Sequence, residues 1–279
     1  MKIALCNEVL RNMEFAAQCD YAAALGYDGL EVAPFTLSDE PHLLSAEKRA
    51  ALRRAATDAG IAVTGLHWLL VAPAGLSLNG PDAALRQRTR DVMLRLVELC
   101  AELGGTVLVH GSPGQRSVAE GDDKGAAWER ARESFAAVAE AASRAGVTYC
   151  IEPLSRRETN FINTVEEAAR MVRAVGHESF RTMIDTSAAS SSESGSVAAL
   201  LDRWLPSGLI AHVQVNDRNR RGPGEGSDRF GPVFAALQRH GYDRVVAVEP
   251  FVYEPDGRAC AARSVGYVRG VLEGLSCAR

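Results

Sequence analysis

The feature that most constrains this chain is a pattern repeated along its whole length: a short apolar, β-branched run that ends on a polar residue, followed by a helical stretch. The first unit pairs Lys2-Ile-Ala-Leu-Cys with a helix over about 14–25, where Phe15, Cys19, Ala22 and Ala23 keep helical spacing and Gly26 supplies the stop. The second runs from Tyr27 towards Glu31 and Pro34, and its helix begins at Ser45 and closes at Gly60. Strands then follow over 61–67, 106–111, 147–151, 181–186, 209–217 and 245–249. Helices are expected over 82–103, 126–145, 164–175, 196–204, 231–240 and 258–275, the 164–175 helix opening on a capping box of Thr164 and Glu167. Ser187–Ser196 reads as a flexible loop. Eight strand-then-helix units without a linker or a composition break fit a closed α/β (β/α)8 TIM barrel, one domain spanning 1–279. An open doubly wound sheet fits less well, because the first turn, Asn7-Glu8-Val9-Leu10, carries no glycine fingerprint.

In such a barrel the carboxyl ends of the strands meet on one face, so the polar residues there are the candidates for a site. They are Glu31, His67, His110, Glu152, Asp185, Gln214 and Glu249. Glu152 and Glu249 share a grammar: Thr-Tyr-Cys-Ile-Glu-Pro and Val-Ala-Val-Glu-Pro each deliver a glutamate from a buried run, and the proline ends the ladder. Glu152, Asp185 and Glu249 crowded at one mouth would repel one another unless a cation compensated them. With the amide oxygen of Gln214 they form an oxygen-rich set suited to Mn2+ or Mg2+ rather than to zinc. The alternative reading is that strand-end carboxylates cap the following helices or pair with loop arginines. Spacing alone leaves both open.

Composition narrows the partners. A formal charge of −4, with arginines dispersed except around Arg218, Arg220 and Arg221, argues against nucleic acid. The six cysteines lack CxxC spacing and mostly lie within apolar segments, which predicts buried free thiols rather than a metal site. No run approaches membrane length and no charged and apolar leader precedes the first strand, so a cytoplasmic protein without membrane attachment is expected.

The chain resembles the xylose-isomerase-like sugar isomerase and epimerase superfamily, nearest to its ketose 3-epimerase branch. The resemblance is carried by Ile151-Glu-Pro-Leu-Ser-Arg-Arg-Glu-Thr-Asn-Phe-Ile-Asn-Thr, Ile184-Asp-Thr, His212-Val-Gln-Val-Asn-Asp-Arg-Asn-Arg-Arg-Gly-Pro-Gly-Glu-Gly and Val248-Glu-Pro-Phe. It implies a barrel with one divalent metal, Mn2+ foremost with Mg2+ or Co2+ as alternatives, held at Glu152, Asp185, Gln214 and Glu249. It also implies catalysis by Glu152 and Glu249 from opposite faces of a sugar, with Glu158 and Arg220 binding substrate oxygens and the chain assembling as a homodimer or homotetramer. The expected chemistry is epimerisation or isomerisation through an enediolate, one carboxylate removing and the other returning a carbon-bound proton. Either Glu158 or Arg220 could instead be a member of a surface ion pair.

Two departures weaken the match to that branch, the first bearing on metal choice and affinity and the second on the substrate. Gln214 stands where the branch has a histidine ligand, and Ala188 stands where it has a substrate-contacting histidine. A modified sugar, a keto-glycoside or a cyclitol is easier to reconcile with these changes than a free ketohexose. A lyase or dehydratase using the same glutamate pair is the alternative activity. A metal-dependent endonuclease and a non-catalytic sugar-binding barrel are more distant readings. His67 and His110 are further candidates for substrate contact, with packed or supporting histidines as the competing reading. Gly222-Pro-Gly-Glu-Gly follows a late strand, not the first, and is not a dinucleotide loop.

Overall fold

The computed structural model describes residues 1–277. Eight parallel strands close on themselves in sequence order: β1 (Lys2–Cys6), β2 (Gly29–Val32), β3 (Ala62–Leu66), β4 (Val107–His110), β5 (Thr148–Ile151), β6 (Phe180–Asp185), β7 (Ile210–Val215) and β8 (Val245–Val248). β1 pairs with both β2 and β8, so no edge is left to template pairing with another chain. Nine α-helices are described: α1 (Phe15–Leu25), α2 (Ala46–Asp58), α3 (Ala83–Leu103), α4 (Lys124–Ala145), α5 (Val165–Val175), α6 (Thr186–Ser192), α7 (Val197–Trp204), α8 (Gly231–Arg239) and α9 (Gly257–Cys277). The expected TIM barrel is therefore present.

The elements form for local reasons that the residues carry. The Thr164 hydroxyl accepts from Glu167 N at 3.2 Å while the Glu167 carboxylate accepts from Thr164 N at 3.3 Å, which is the capping box expected for α5. Helices α3 and α4 stop at Gly104 and Gly146, whose φ values of 89° and 69° are left-handed and favour glycine. Helix α4 begins at Lys124, earlier than position 126, because Asp123 caps it by accepting from Ala126 N at 2.7 Å.

Residues 187–196 are not simply a loop. Asp185 Oδ1 accepts from Ala188 N at 2.7 Å and starts α6 directly from the strand end, so the small residues Ser187 to Ser192 continue as helix. A site carboxylate thus doubles as the cap. Phe135, Tyr149, Phe180 and Leu96, Leu99 and Leu103 of α3 pack the layer between strands and helices, and all are fully or nearly fully buried. Five of the six cysteines are buried and all six are free, as the apolar context of most of them predicts. Among the described residues no helix is long and apolar enough to cross a membrane.

Candidate active site at the carboxyl end of the barrel

Strand register brings the late strand ends to one level. Asp185 of β6 stands opposite Gln214 of β7, and Gln214 opposite Ala247 of β8, two residues before Glu249. The ligand atoms of Glu152, Asp185 and Glu249 all lie within 4.8 Å of one another, and all three residues are buried. Burial, and then the charges of Glu249 and Asp185, push the Glu152 carboxyl well above the ordinary range. Burial and Glu249 do the same to Asp185, and burial raises Glu249 to about 7.

Three carboxylates sharing a dry pocket cannot all ionise at neutral pH on their own. Asp185 Oδ2, Glu249 Oε2 and Gln214 Oε1 are buried and have no hydrogen-bond partner. Unpaired buried acceptors are costly, and a hard cation that takes oxygen ligands is the partner this donor set fits.

Each carboxylate is held from behind. Both His67 Nδ1, at 2.9 Å, and Trp68 Nε1, at 3.0 Å, contact Glu249 Oε1, which leaves Oε2 for the pocket. Trp68 adopts φ 51°, a left-handed conformation that bulky residues rarely take, and its ring lies 5.8 Å from that of Phe251 and 6.1 Å from that of Phe35. Glu152 lies against the backbone of Gly111, where a Cβ would run into Glu152 Oε2. Glycine is required there by the close approach of the carboxylate.

A cleft of about 150 Å3 opens beside these groups, lined by Glu152, Asp185, Glu158, Ala188, Arg220 and Phe251 among others. Glu158 and Arg220, expected to bind substrate, both face it. Glu158 is shaped by its own loop, its Oε2 accepting from Ser155 Oγ at 2.6 Å and from Ser155 N at 3.2 Å. The Arg220 guanidinium stands 4.7 Å over the Phe251 ring. The Arg220 carbonyl accepts from Phe251 N and Val252 N at 2.8 and 2.9 Å, which ties the loop after β7 to the loop after β8.

The two strand-end histidines, expected as substrate contacts or as packed, supporting residues, are both buried. His67 is fully buried with both ring nitrogens engaged, Nδ1 by Glu249 and Nε2 by Glu8 at 3.0 Å, so it holds a carboxylate and has no face for a substrate. Burial opposes charge on His67, but Cys6, followed by Glu8 and Glu249, outweighs it and raises the pKa. Cys6 and Glu8 complete a second acidic group around His67, and burial keeps the Cys6 thiol protonated. His110 is also fully buried, its Nδ1 2.8 Å from the Tyr149 hydroxyl and its ring edge-on to Phe135. Burial, then Arg116, lowers its pKa to about 3, so it is a neutral packed histidine.

Several residues escaped sequence reasoning. Glu8 follows a strand by two residues but looked like part of an ordinary turn. Glu31 stood among the strand ends without a role; here it accepts from Gln214 Nε2 at 2.7 Å and lies 2.7 Å from His212 Nε2. Burial pushes the Glu31 carboxyl up, and His212, His67 and Gln214 outweigh that, leaving it below the ordinary range. Arg116 is a fully buried guanidinium that donates to the His110 carbonyl at 3.2 Å, and burial lowers its pKa to about 10 against the attraction of Glu152 and Glu158. It sits in an irregular loop, where no periodicity could single it out.

A parallel eight-stranded barrel with a carboxylate cluster at its carboxyl mouth defines a broad class, and comparison with known proteins narrows it. The chain belongs to the xylose isomerase-like TIM barrel family, whose model matches residues 19–270. It is 31% identical over 234 residues to a D-psicose 3-epimerase of Ruminiclostridium cellulolyticum, covering 82% of this chain and 76% of that one. It is 24% identical over 282 residues to 3-dehydro-D-guloside 4-epimerase of Escherichia coli, covering 96% and 99%. Among solved structures, that of a D-psicose 3-epimerase with D-tagatose from Clostridium cellulolyticum superimposes with a TM-score of 0.83 at 24% identity, covering 98% of this chain and 99% of that one, which establishes the shared fold.

Proposed function

We propose that the protein is a divalent-cation-dependent epimerase or isomerase of a sugar or sugar derivative. The observation that carries this reading is the convergence of Glu152, Asp185 and Glu249 within 4.8 Å, with Asp185 Oδ2 and Glu249 Oε2 buried and unpartnered. Asp185, Gln214 and the two glutamates would hold the cation, Mn2+ being the ion that best suits an oxygen-rich set with one amide. When bound, it supplies the positive charge that keeps the carboxylates ionised and favours an enediolate oxyanion.

The proton chemistry falls to the chain itself. Glu249 is fixed through Oε1 by His67 and Trp68 and presents Oε2, while Glu152 is pressed against Gly111 at the end of β5. One carboxylate takes the hydrogen from the carbon next to a carbonyl, and the other delivers a proton to the opposite face of that carbon. Arg220 and Glu158 orient substrate hydroxyls from the loops, and the Trp68 and Phe251 rings form an apolar wall for the C–H face of a sugar.

The relatives named above are epimerases, which favours returning the proton to carbon over expelling a leaving group, so the elimination reading is set aside. The substrate we favour is a keto-glycoside or another substituted sugar. Ala188 and Ser187 leave open the side of the cleft next to Asp185, and the E. coli relative acts, by its name, on a guloside. The test is incubation with 3-keto-glycosides and free ketoses in deuterated water. Deuterium should enter only the inverted carbon, and Glu249→Gln should lower turnover by at least ~100-fold. Undiminished turnover in that variant would rule out the paired-carboxylate mechanism.

A further inference from the structure

A glutamine offers a cation its oxygen only when the amide is turned the right way, because a half-turn about the last side-chain bond presents the NH2 group instead. In this protein something fixes that turn. Gln214 Nε2 is 2.7 Å from Glu31 Oε1, and a carboxylate has no proton to give, so only the orientation with nitrogen towards Glu31 makes this bond. The Gln214 oxygen is left buried and unpartnered.

Glu31 is itself held. Its Oε2 lies 2.7 Å from His212 Nε2, close enough for an ion pair although not aligned as a linear hydrogen bond. His212 and Gln214 are two residues apart on β7 and so share a face, and together they grip one carboxylate from β2, across the barrel interior. The register of β2 against β3 shifts between Leu30 and Glu31, an irregularity of the kind that re-aims a side chain. Cys6 Sγ approaches Glu31 Oε1 at 3.9 Å. Glu31 and Gln214 have no exposed surface and His212 almost none, so bulk water does not compete for these contacts.

We propose that Glu31 is a positioning residue that locks the Gln214 amide with its oxygen towards Glu152, Asp185 and Glu249, and whose charge polarises that amide into a better cation ligand. The inference rests on the metal reading proposed above. It accounts for how a neutral amide, which could otherwise present its NH2 group, offers its oxygen instead. A Glu31 that merely bridged β2 and β7 would affect stability equally with and without metal, and would leave metal affinity alone.

The experiment is calorimetric titration of Mn2+ into the EDTA-stripped full-length chain, for wild type, Glu31→Gln, Gln214→Ala and the double variant. Glutamine at 31 can donate as well as accept, so the lock is lost, and Mn2+ affinity should fall about 10- to 100-fold. Gln214→Ala should fall similarly, and the double variant should lose no more than the weaker single, because both changes remove the same ligand. Wild-type affinity in Glu31→Gln, or losses that multiply in the double variant, would overturn the proposal. Circular dichroism checks folding. Should Glu31→Gln not fold, Glu31→Asp keeps the charge but withdraws the carboxylate by one methylene; it should weaken Mn2+ binding, and unchanged affinity there overturns the proposal as well. A wild-type chain that binds no Mn2+ overturns the metal reading and this inference together, whereas wild-type binding with an unaffected Glu31→Gln overturns only the role of Glu31.

Discussion

Removing metal should make the stability of this protein depend on pH in a direction opposite to the usual carboxylate case. The Glu249 carboxyl is raised by burial from 4.5 to about 7. At about 1.4 kcal/mol per tenfold change in proton affinity, ionising it in the fold costs about 3 kcal/mol more than in the unfolded chain. A raised folded-state value means that the folded form holds the proton more tightly. The associated stability is therefore fully present below about pH 4.5 and is lost as pH rises through about 7. Glu152 is raised as well, by burial and then by Glu249 and Asp185, Asp185 by burial and then by Glu249, and His67 by Cys6 and then Glu8, so each extends the loss in the same direction. About 2 kcal/mol of this is lost between pH 5.5 and 8, which for a chain of this length corresponds to a fall in Tm on the order of 3–4 °C from Glu249 alone.

The assay is thermal unfolding followed by circular dichroism at half-unit pH steps, in EDTA and in Mn2+. In EDTA the Tm should fall across that window. Mn2+ at a hundredfold excess over its Kd should add about 2.7 kcal/mol, with the largest gain at the alkaline end, where no proton competes for the ligands. Glu249→Gln should flatten the metal-free profile, because one of the three carboxylates is gone. A metal-free Tm that is constant from pH 5.5 to 8, or one that falls equally in Glu249→Gln, refutes the idea that the cluster is held together against its own charge.

Other perturbations test separate parts of the architecture. Gly111→Ala should displace the Glu152 carboxylate and cost about 1–3 kcal/mol of stability, with kcat falling and Mn2+ affinity weakened; a crystal structure with Glu152 unmoved would contradict this. Arg220→Ala removes a cleft-lining guanidinium and its packing on Phe251, so steady-state kinetics should show KM rising more than kcat falls. Thr164→Ala breaks the α5 capping box at a residue that does not line the cleft, costing about 1 kcal/mol, visible as a lower Tm at unchanged kcat.

What could be read from the sequence, and what could not, divides along a physical line. The barrel was legible because each βα unit announces itself locally: a β-branched run, a polar strand end, a capped helix. The same local grammar marked Glu152, Asp185 and Glu249, since parallel strands in one barrel must bring their carboxyl ends to one mouth. Thr164 with Glu167 was legible because a capping box spans only one turn. The residues that support this first layer were not legible, because their partners lie far away along the chain. His67 meets Glu249 across 182 positions and Gln214 meets Glu31 across 183, and no periodicity links such pairs. For the same reason His67 and His110 looked like substrate contacts: both are strand-end histidines, and only the closed barrel shows that one is clamped between Glu8 and Glu249 and the other packed on Tyr149 and Phe135.

Gln214 sits on that line. Its position at a strand end marks it as a candidate ligand, yet whether an amide can act as one depends on a carboxylate from the opposite side of the barrel. A glutamine must be held with its oxygen rather than its NH2 group presented. In this chain that constraint comes from β2, through Glu31, with His212 of the same β7 strand holding the carboxylate in place. The departure that bears on the metal site is thus accompanied by a buried contact that would let it work, and the two residues should be read as a single unit.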